Sequence, residues 1–291
     1  MITIENEHLI AEISLHGAEL TRLFCKENRR ETLWNADEKY WARHAPVLFP
    51  NVGKYYKGTF MHKGTIYSEG QHGFARDCEF VCENADTGTA LFCLESTEET
   101  LSRYPFPFRL EIKYELQDKE LIVTWKVKNT GSDTMYFTIG GHPAFNVPAI
   151  PGTKFTDYSL CFEAKESLEY KLLDMTCGCI IADSSVTLPL EGGKYKLREN
   201  MFDNDALVFD GGQIEKVSIL SPDGSPYITM ECGEFPNFGI WSKPGAPFVC
   251  LEPWLGRADN VGFEGEICDK PGITAVNSGD EFEISHKIIV G

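Results

Sequence analysis

Three short segments set ionisable side chains among glycine, proline and aromatic residues instead of on a solvated face. Residues 71–77 read Gln-His-Gly-Phe-Ala-Arg-Asp, offering His72 as an acid or base and Arg76 as a cation four positions on. Residues 138–146 end a strand-like run in Gly140-Gly141 and deliver His142 into a turn fixed by Pro143. Two glycines weaken a strand, but they let another group approach the backbone closely. Residues 248–260 hold Glu252 between Leu251 and Pro253-Trp254. A carboxyl in such company is desolvated, which raises its pKa and suits proton transfer. A weaker fourth feature, residues 202–209, places Asp205 before an apolar run. Three of the four also have a plainer reading: His72 as a turn histidine beside a surface Arg76–Asp77 pair, Glu252 as a strand-end partner of Arg257, Asp205 as an ordinary turn residue.

The basic residues add a further signal. Residues 43–68 contain no Asp or Glu but hold Arg43, Lys54, Lys57 and Lys63, with His44 and His62. In a chain of formal net charge −17 this predicts a local positive pocket for an anionic or strongly hydrogen-bonding ligand. The alternative is a sheet face paired with acids elsewhere.

The elements that must position these groups read as strands. At 108–116, Phe108, Leu110, Ile112, Tyr114 and Leu116 alternate with Arg109, Glu111, Lys113 and Glu115. Leu121, Val123, Trp125 and Val127 repeat the pattern after a short connection, which predicts a hairpin. Short strands are also expected at 9–15, 20–25, 79–83, 90–95, 135–139, 159–163, 217–220, 227–231, 238–241, 248–251 and 281–286. One helix is expected at 96–104, capped by Thr97 and stopped by Pro105 and Pro107. Many strands and one helix imply an all-β chain, a large antiparallel β-sandwich in a single domain spanning 1–291. A concave sheet face would present a side chain at every second position to a polar ligand such as a sugar. Most of Trp34, Trp41, Trp125, Trp241 and Trp254 are expected in the core.

The acidic charge disfavours nucleic acid and anionic membrane surfaces as partners. No apolar run is long enough for a spanning helix. Residues 1–10 carry Glu5 and Glu7 with no Lys or Arg, unlike a secretory leader, so a cytoplasmic location is expected. The ten cysteines are irregularly spaced and are expected to be mostly buried thiols without a structural zinc site. Cys177-Gly178-Cys179 is their only close pair.

In order and separation, these segments resemble the aldose 1-epimerase (galactose mutarotase) superfamily, and its LacX-like branch above all. The carrying stretches are 43–53 (Arg-His-Ala-Pro-Val-Leu-Phe-Pro-Asn-Val-Gly), 72–76 (His-Gly-Phe-Ala-Arg), 141–146 (Gly-His-Pro-Ala-Phe-Asn), 204–209 (Asn-Asp-Ala-Leu-Val-Phe) and 250–254 (Cys-Leu-Glu-Pro-Trp). The resemblance implies a galactose mutarotase-like supersandwich that interconverts the α and β anomers of a hexose by opening its ring. It implies Glu252 as general base and His142 as general acid, on opposite sides of the sugar, with His72 near the ring oxygen. Asp205, Arg76, Lys54 and Trp254 are the implied sugar contacts, and no metal or other cofactor is needed. Lys54 stands where LacX-like relatives commonly show Arg, keeping the charge without the guanidinium fork. Residues 72–76 are also similar to the hexose-6-phosphate epimerase branch, so a sugar phosphate is the alternative substrate. A sugar-binding protein without turnover is the other alternative; under every reading the chain is expected to be a monomer or homodimer.

Overall fold

The computed structural model of the chain describes residues 1–163 and 165–291. Two large antiparallel sheets dominate it. One has nine strands in the order Lys194–Lys196, Ser159–Cys161, Lys216–Leu220, Pro226–Glu231, Glu281–Val290, Glu120–Asn129, Phe108–Gln117, Thr89–Glu95 and Val81–Ala85. The other runs Val186–Pro189, Ser167–Lys171, Leu207–Phe209, Asn237–Trp241, Phe248–Leu255, Ile139–Gly141 and Val47–Leu48. In this sheet Ala144–Asn146 also pairs with Phe248–Leu255. A four-stranded sheet from residues 2–31 and two strand pairs complete the structure.

The expected hairpin forms as a two-residue connection, Gln117 facing Glu120 and Phe108 facing Asn129. Its alternation is kept residue by residue: Leu110, Ile112, Tyr114, Val123, Trp125 and Val127 are buried, while Arg109, Glu111, Lys113 and Lys126 are not. The buried set meets Phe238, Ile240, Val249 and Leu251 of the other sheet in one apolar cluster between the layers. Each such side chain removed from water contributes about 1.5–3 kcal/mol. The helix is Glu98–Arg103. Thr97 accepts the Thr100 backbone N–H, and Thr100 returns the bond to the Thr97 N–H. Among the described residues no helix is long and apolar enough to cross a membrane.

One strand of the second sheet, Phe248–Leu255, is buried on both faces. In Phe248–Leu255, Val249 and Leu251 point into the inter-sheet core. Cys250, Glu252 and Trp254 point to the other face, where smaller apolar clusters gather. The strand was expected to stop at 251; it continues through Pro253 to Leu255. All ten cysteines are free, five of them buried and Cys268 exposed, so burial is less general than expected.

Candidate active site

Strand register brings the first two groups together. Gly140 faces Trp254 and Ala144 faces Cys250 on the neighbouring strand. The same register, carried through the break between Ile139–Gly141 and Ala144–Asn146, sets His142 directly opposite Glu252. Directly opposed residues share a sheet face with Cβ atoms about 4.5–5.5 Å apart. Accordingly His142 Nε2 lies 3.3 Å from Glu252 Oε2, with His142 8 % and Glu252 1 % exposed. The two are therefore side by side, not on opposite sides of a ligand as expected: 3.3 Å leaves no room for a sugar between them.

The double glycine has two separate jobs. A Cβ on Gly140 would come 2.5 Å from Trp254 Cδ1, and one on Gly141 would come 3.3 Å from Trp125 on the core side. Gly239, on the strand flanking Glu252 from the other side, would meet the Trp254 ring at 2.4 Å. The indole of Trp254 thus lies flat across two glycines and floors the cavity.

Burial governs the electrostatics of the pair. Neither Glu252 oxygen has a partner of normal hydrogen-bond geometry. Desolvation, then the nearby Asp205 charge, hold its carboxyl well above the ordinary range, and the Trp254 indole partly offsets them. Desolvation likewise pushes His142 down to about 3, with the Arg76 and Arg43 charges acting in the same direction. One proton shared on Glu252 with a neutral imidazole is the state this environment favours. Trp41 stacks on His142, centroids 4.8 Å apart, and Trp241 meets it edge-on at 5.6 Å.

His72 is held by Gly53. Its backbone N–H donates to Gly53 O at 2.8 Å, and the Gly53 N–H donates back to His72 Nδ1 at 3.1 Å. A backbone N–H can only donate, so Nδ1 is the unprotonated nitrogen and Nε2 carries the hydrogen, 3.1 Å from the Gln71 side-chain amide that a sugar oxygen would have to replace. Burial and the surrounding cations hold this imidazole neutral. His72 has a left-handed φ of 67°. At Gly73, beside it, a Cβ would come 2.2 Å from Phe49 O. The glycine is a steric requirement of the turn that aims His72. Its ring meets His142 edge-on at 5.6 Å.

The remaining expected residues converge on the same cavity of about 310 Å³, whose lining includes Lys54, His72, Arg76, His142, Asp205, Glu252 and Trp254. Arg76 donates to Gln71 O at 2.6 Å, and its Nε, without a hydrogen bond, lies 3.8 Å from Asp77 Oδ2. Asp205 sits on a turn with φ 71°, half-buried. The plain reading of Glu252 fails, because Arg257 pairs with Asp210 at 3.1 Å and with Asn260 at 2.8 Å. The positive pocket expected from residues 43–68 is reduced to one side chain. Arg43 pairs with Asp77 (2.7 Å), Lys63 with Asp133 (2.9 Å) and Lys57 with Glu264, leaving Lys54 at the cavity with no ion pair among the described residues.

Other site residues escaped the sequence reading. Trp41 and Trp241 line the cavity beside the expected Trp254; only Trp34 and Trp125 fit the core expectation. Trp241 was accessible in principle, two residues after Gly239 on a strand whose faces alternate. The Cys177–Cys179 turn contributes Gly178, where a Cβ would come 3.1 Å from Lys54 Cδ. Asp259 and Lys270, each 1 % exposed at the side chain, form a 2.5 Å ion pair. Asp259 also donates its N–H to Lys54 O and accepts from Ile180 N–H and Tyr56 N–H, tying together the chain segments that carry Lys54 and Gly178. No local motif announces that pair.

By its fold the chain is a galactose mutarotase-like β-sandwich protein. It superposes with a TM-score of 0.94 on a galactose mutarotase related enzyme from Lactobacillus acidophilus, 32% identical, covering 100% of this chain and 97% of that one. A galactose mutarotase-like protein from Lactobacillus casei gives 0.92 at 33% identity, covering all of both chains. The LacX proteins of Lactococcus lactis, plasmid and chromosomal, are 32% identical over 307 aligned positions, 99% of each chain. The profile of the aldose 1-epimerase family matches residues 1–254, and the chain belongs to that family.

Proposed function

We propose that the protein is an aldose 1-epimerase that opens and recloses the ring of a single hexose or related sugar. The observation that carries this is the 3.3 Å contact between His142 and Glu252, on the floor of a cavity walled by three tryptophans. Ring opening removes a proton from the anomeric hydroxyl and adds one to the ring oxygen, two oxygens on one carbon. Adjacent proton handlers suit adjacent oxygens better than opposed ones would. When the sugar fills the site the shared proton passes from Glu252 to His142; Glu252, now a carboxylate, takes the hydroxyl proton as base while the His142 imidazolium gives its proton to the ring oxygen as acid. One proton enters the pair as one leaves, so the buried site never changes its net charge. The aldehyde rotates, and the reverse transfer closes the ring on its other face. The neutral His72 donates its Nε2 hydrogen toward the ring oxygen, and Asp205 and Arg76 hold the hydroxyls. Trp41, Trp241 and Trp254 offer apolar surface to the sugar's C–H groups.

The cavity lies at the small end of the roughly 300–1,000 Å³ usual for ligand sites, which suits one sugar unit. A second reading, a phosphorylated hexose, is favoured by the single observation that Lys54 reaches the cavity without an acidic partner. The deciding experiment adds anomerically pure free hexoses and hexose 6-phosphates, one at a time, and follows anomer exchange by NMR. Acceleration of a free sugar supports the first reading. A preference for the phosphate that fades with salt supports the second. A folded protein that binds these sugars but accelerates none would be a sugar-binding protein and would end both.

A further inference from the structure

We propose that His142, Cys250 and Glu252 form a binding site for a thiophilic divalent cation, with Zn²⁺ as the ion their donors match. The register that sets His142 opposite Glu252 also sets Cys250 diagonal to His142, two residues before Glu252 on the same face. One donor atom from each lies within 4.8 Å of the others, and all three residues are buried. The distance between His142 Nε2 and Glu252 Oε2 is 3.3 Å. Two ligands each about 2.0–2.1 Å from zinc at the tetrahedral angle stand about 3.3 Å apart, so one edge of the coordination tetrahedron already exists. Both Glu252 oxygens are buried without a hydrogen-bond partner, the state of a group with an unfilled ligand.

Charge and donor type select the ion. Zn²⁺ displaces one proton from the thiol and one from the carboxyl, both to solvent. The resulting Zn²⁺–thiolate–carboxylate–imidazole set is neutral and tolerable in a buried place. Mg²⁺ and Ca²⁺ demand six or more oxygen ligands, which this cluster lacks. Three protein ligands leave the fourth position open to the cavity, which His142 and Glu252 both line. The bound ion would occupy the lone pairs used for proton transfer, so it blocks anomer exchange. That consequence rests on the function proposed above, whereas the binding itself does not. A second cluster, Glu7, His8 and Asp118, lies on the exposed surface and has no thiol.

Chelator-treated protein is titrated with Co²⁺ under reducing conditions, and Zn²⁺ is then added as competitor. The expected result is one cobalt per chain with a thiolate-to-metal charge-transfer band that an equivalent of Zn²⁺ bleaches. Cys250→Ser and Cys250→Ala, each checked for native circular dichroism, lose the band and weaken Zn²⁺ binding by at least about 100-fold. That exceeds the roughly 10–100-fold typical of losing an outer hydrogen-bond partner. His8→Gln keeps the band. Cobalt binding without a thiolate band, or a band that survives Cys250→Ala and disappears in the Cys177→Ser/Cys179→Ser double variant, overturns the assignment. Zn²⁺ binding of full strength in a protein whose metal-free form turns over none of the sugar panel would sink the proposed enzyme function and leave this site standing.

Discussion

The hairpin Phe108–Asn129 and the strand Phe248–Leu255 lie in opposite layers, and they announce themselves in opposite ways. The hairpin has one wet face, so its charged residues alternate with apolar ones and its register can be read from the chain. The other strand is buried on both faces, so Cys250 and Glu252 stand inside what reads as an apolar run. A charge every second residue marks the border with water. A single acid inside an apolar strand has no such use, and here it meets an imidazole.

That contrast predicts which perturbations strike chemistry and which strike stability. Glu252→Gln removes the proton acceptor and is expected to slow anomer exchange by about 10²–10⁴-fold, measured by polarimetry on the sugar found active. Ile112→Ala, in the core of the hairpin, is expected to cost about 2–5 kcal/mol in urea unfolding while kcat/KM stays unchanged. A loss of activity in the still-folded Ile112 variant would break the division between layers. His286, packed against Trp125 and Phe235 in the nine-stranded sheet, is held neutral by burial alone, its pKa down to about 3. Its unfolded pKa is near 6.5, so the unfolded chain takes the proton first. Its contribution is complete above pH 6.5 and is lost as pH falls toward 3, about 3 kcal/mol by pH 4. His286→Leu should flatten the acid limb of a stability-against-pH curve by that amount, and an unchanged limb would refute it.

Gly239→Ala drives a methyl into the Trp254 ring and is expected to cost about 1–3 kcal/mol and to raise KM more than it lowers kcat. Equal effects on both constants would move Trp254 from the binding floor to the chemical step. The smallest effect is expected at Lys126, half-buried on the wet face of the hairpin beside Glu281 and Glu283. Lys126→Ala should change unfolding free energy by no more than about 0.5 kcal/mol and leave activity alone.

The same contrast explains what the chain discloses about itself. The hairpin, the capped helix and the all-β character follow from alternation and capping, which act over a few residues. His72, His142 and Glu252 were visible because polar groups beside glycine and proline are locally out of place, and Asp205 more weakly as an acid heading an apolar run. Their mutual arrangement was not, because the opposition of His142 and Glu252 is a property of strands more than a hundred residues apart. Trp41 and Trp241 resembled core residues for a physical reason: a cavity wall and a core demand the same side chains. The positive character of residues 43–68 misled because three of its cations find their acids at Asp77, Asp133 and Glu264, which no local window includes.

The cross-strand opposition of His142 and Glu252 has a consequence for how such a protein can diversify. The proposed acid and base are fixed by the hydrogen-bonded spacing of a sheet, whereas Lys54, His72, Arg76 and Asp205 hang from turns around the rim. Turns can be rebuilt without disturbing a strand register. Exchanging the rim turns between relatives should therefore retune which sugar is accepted while the chemistry beneath them goes on unaltered.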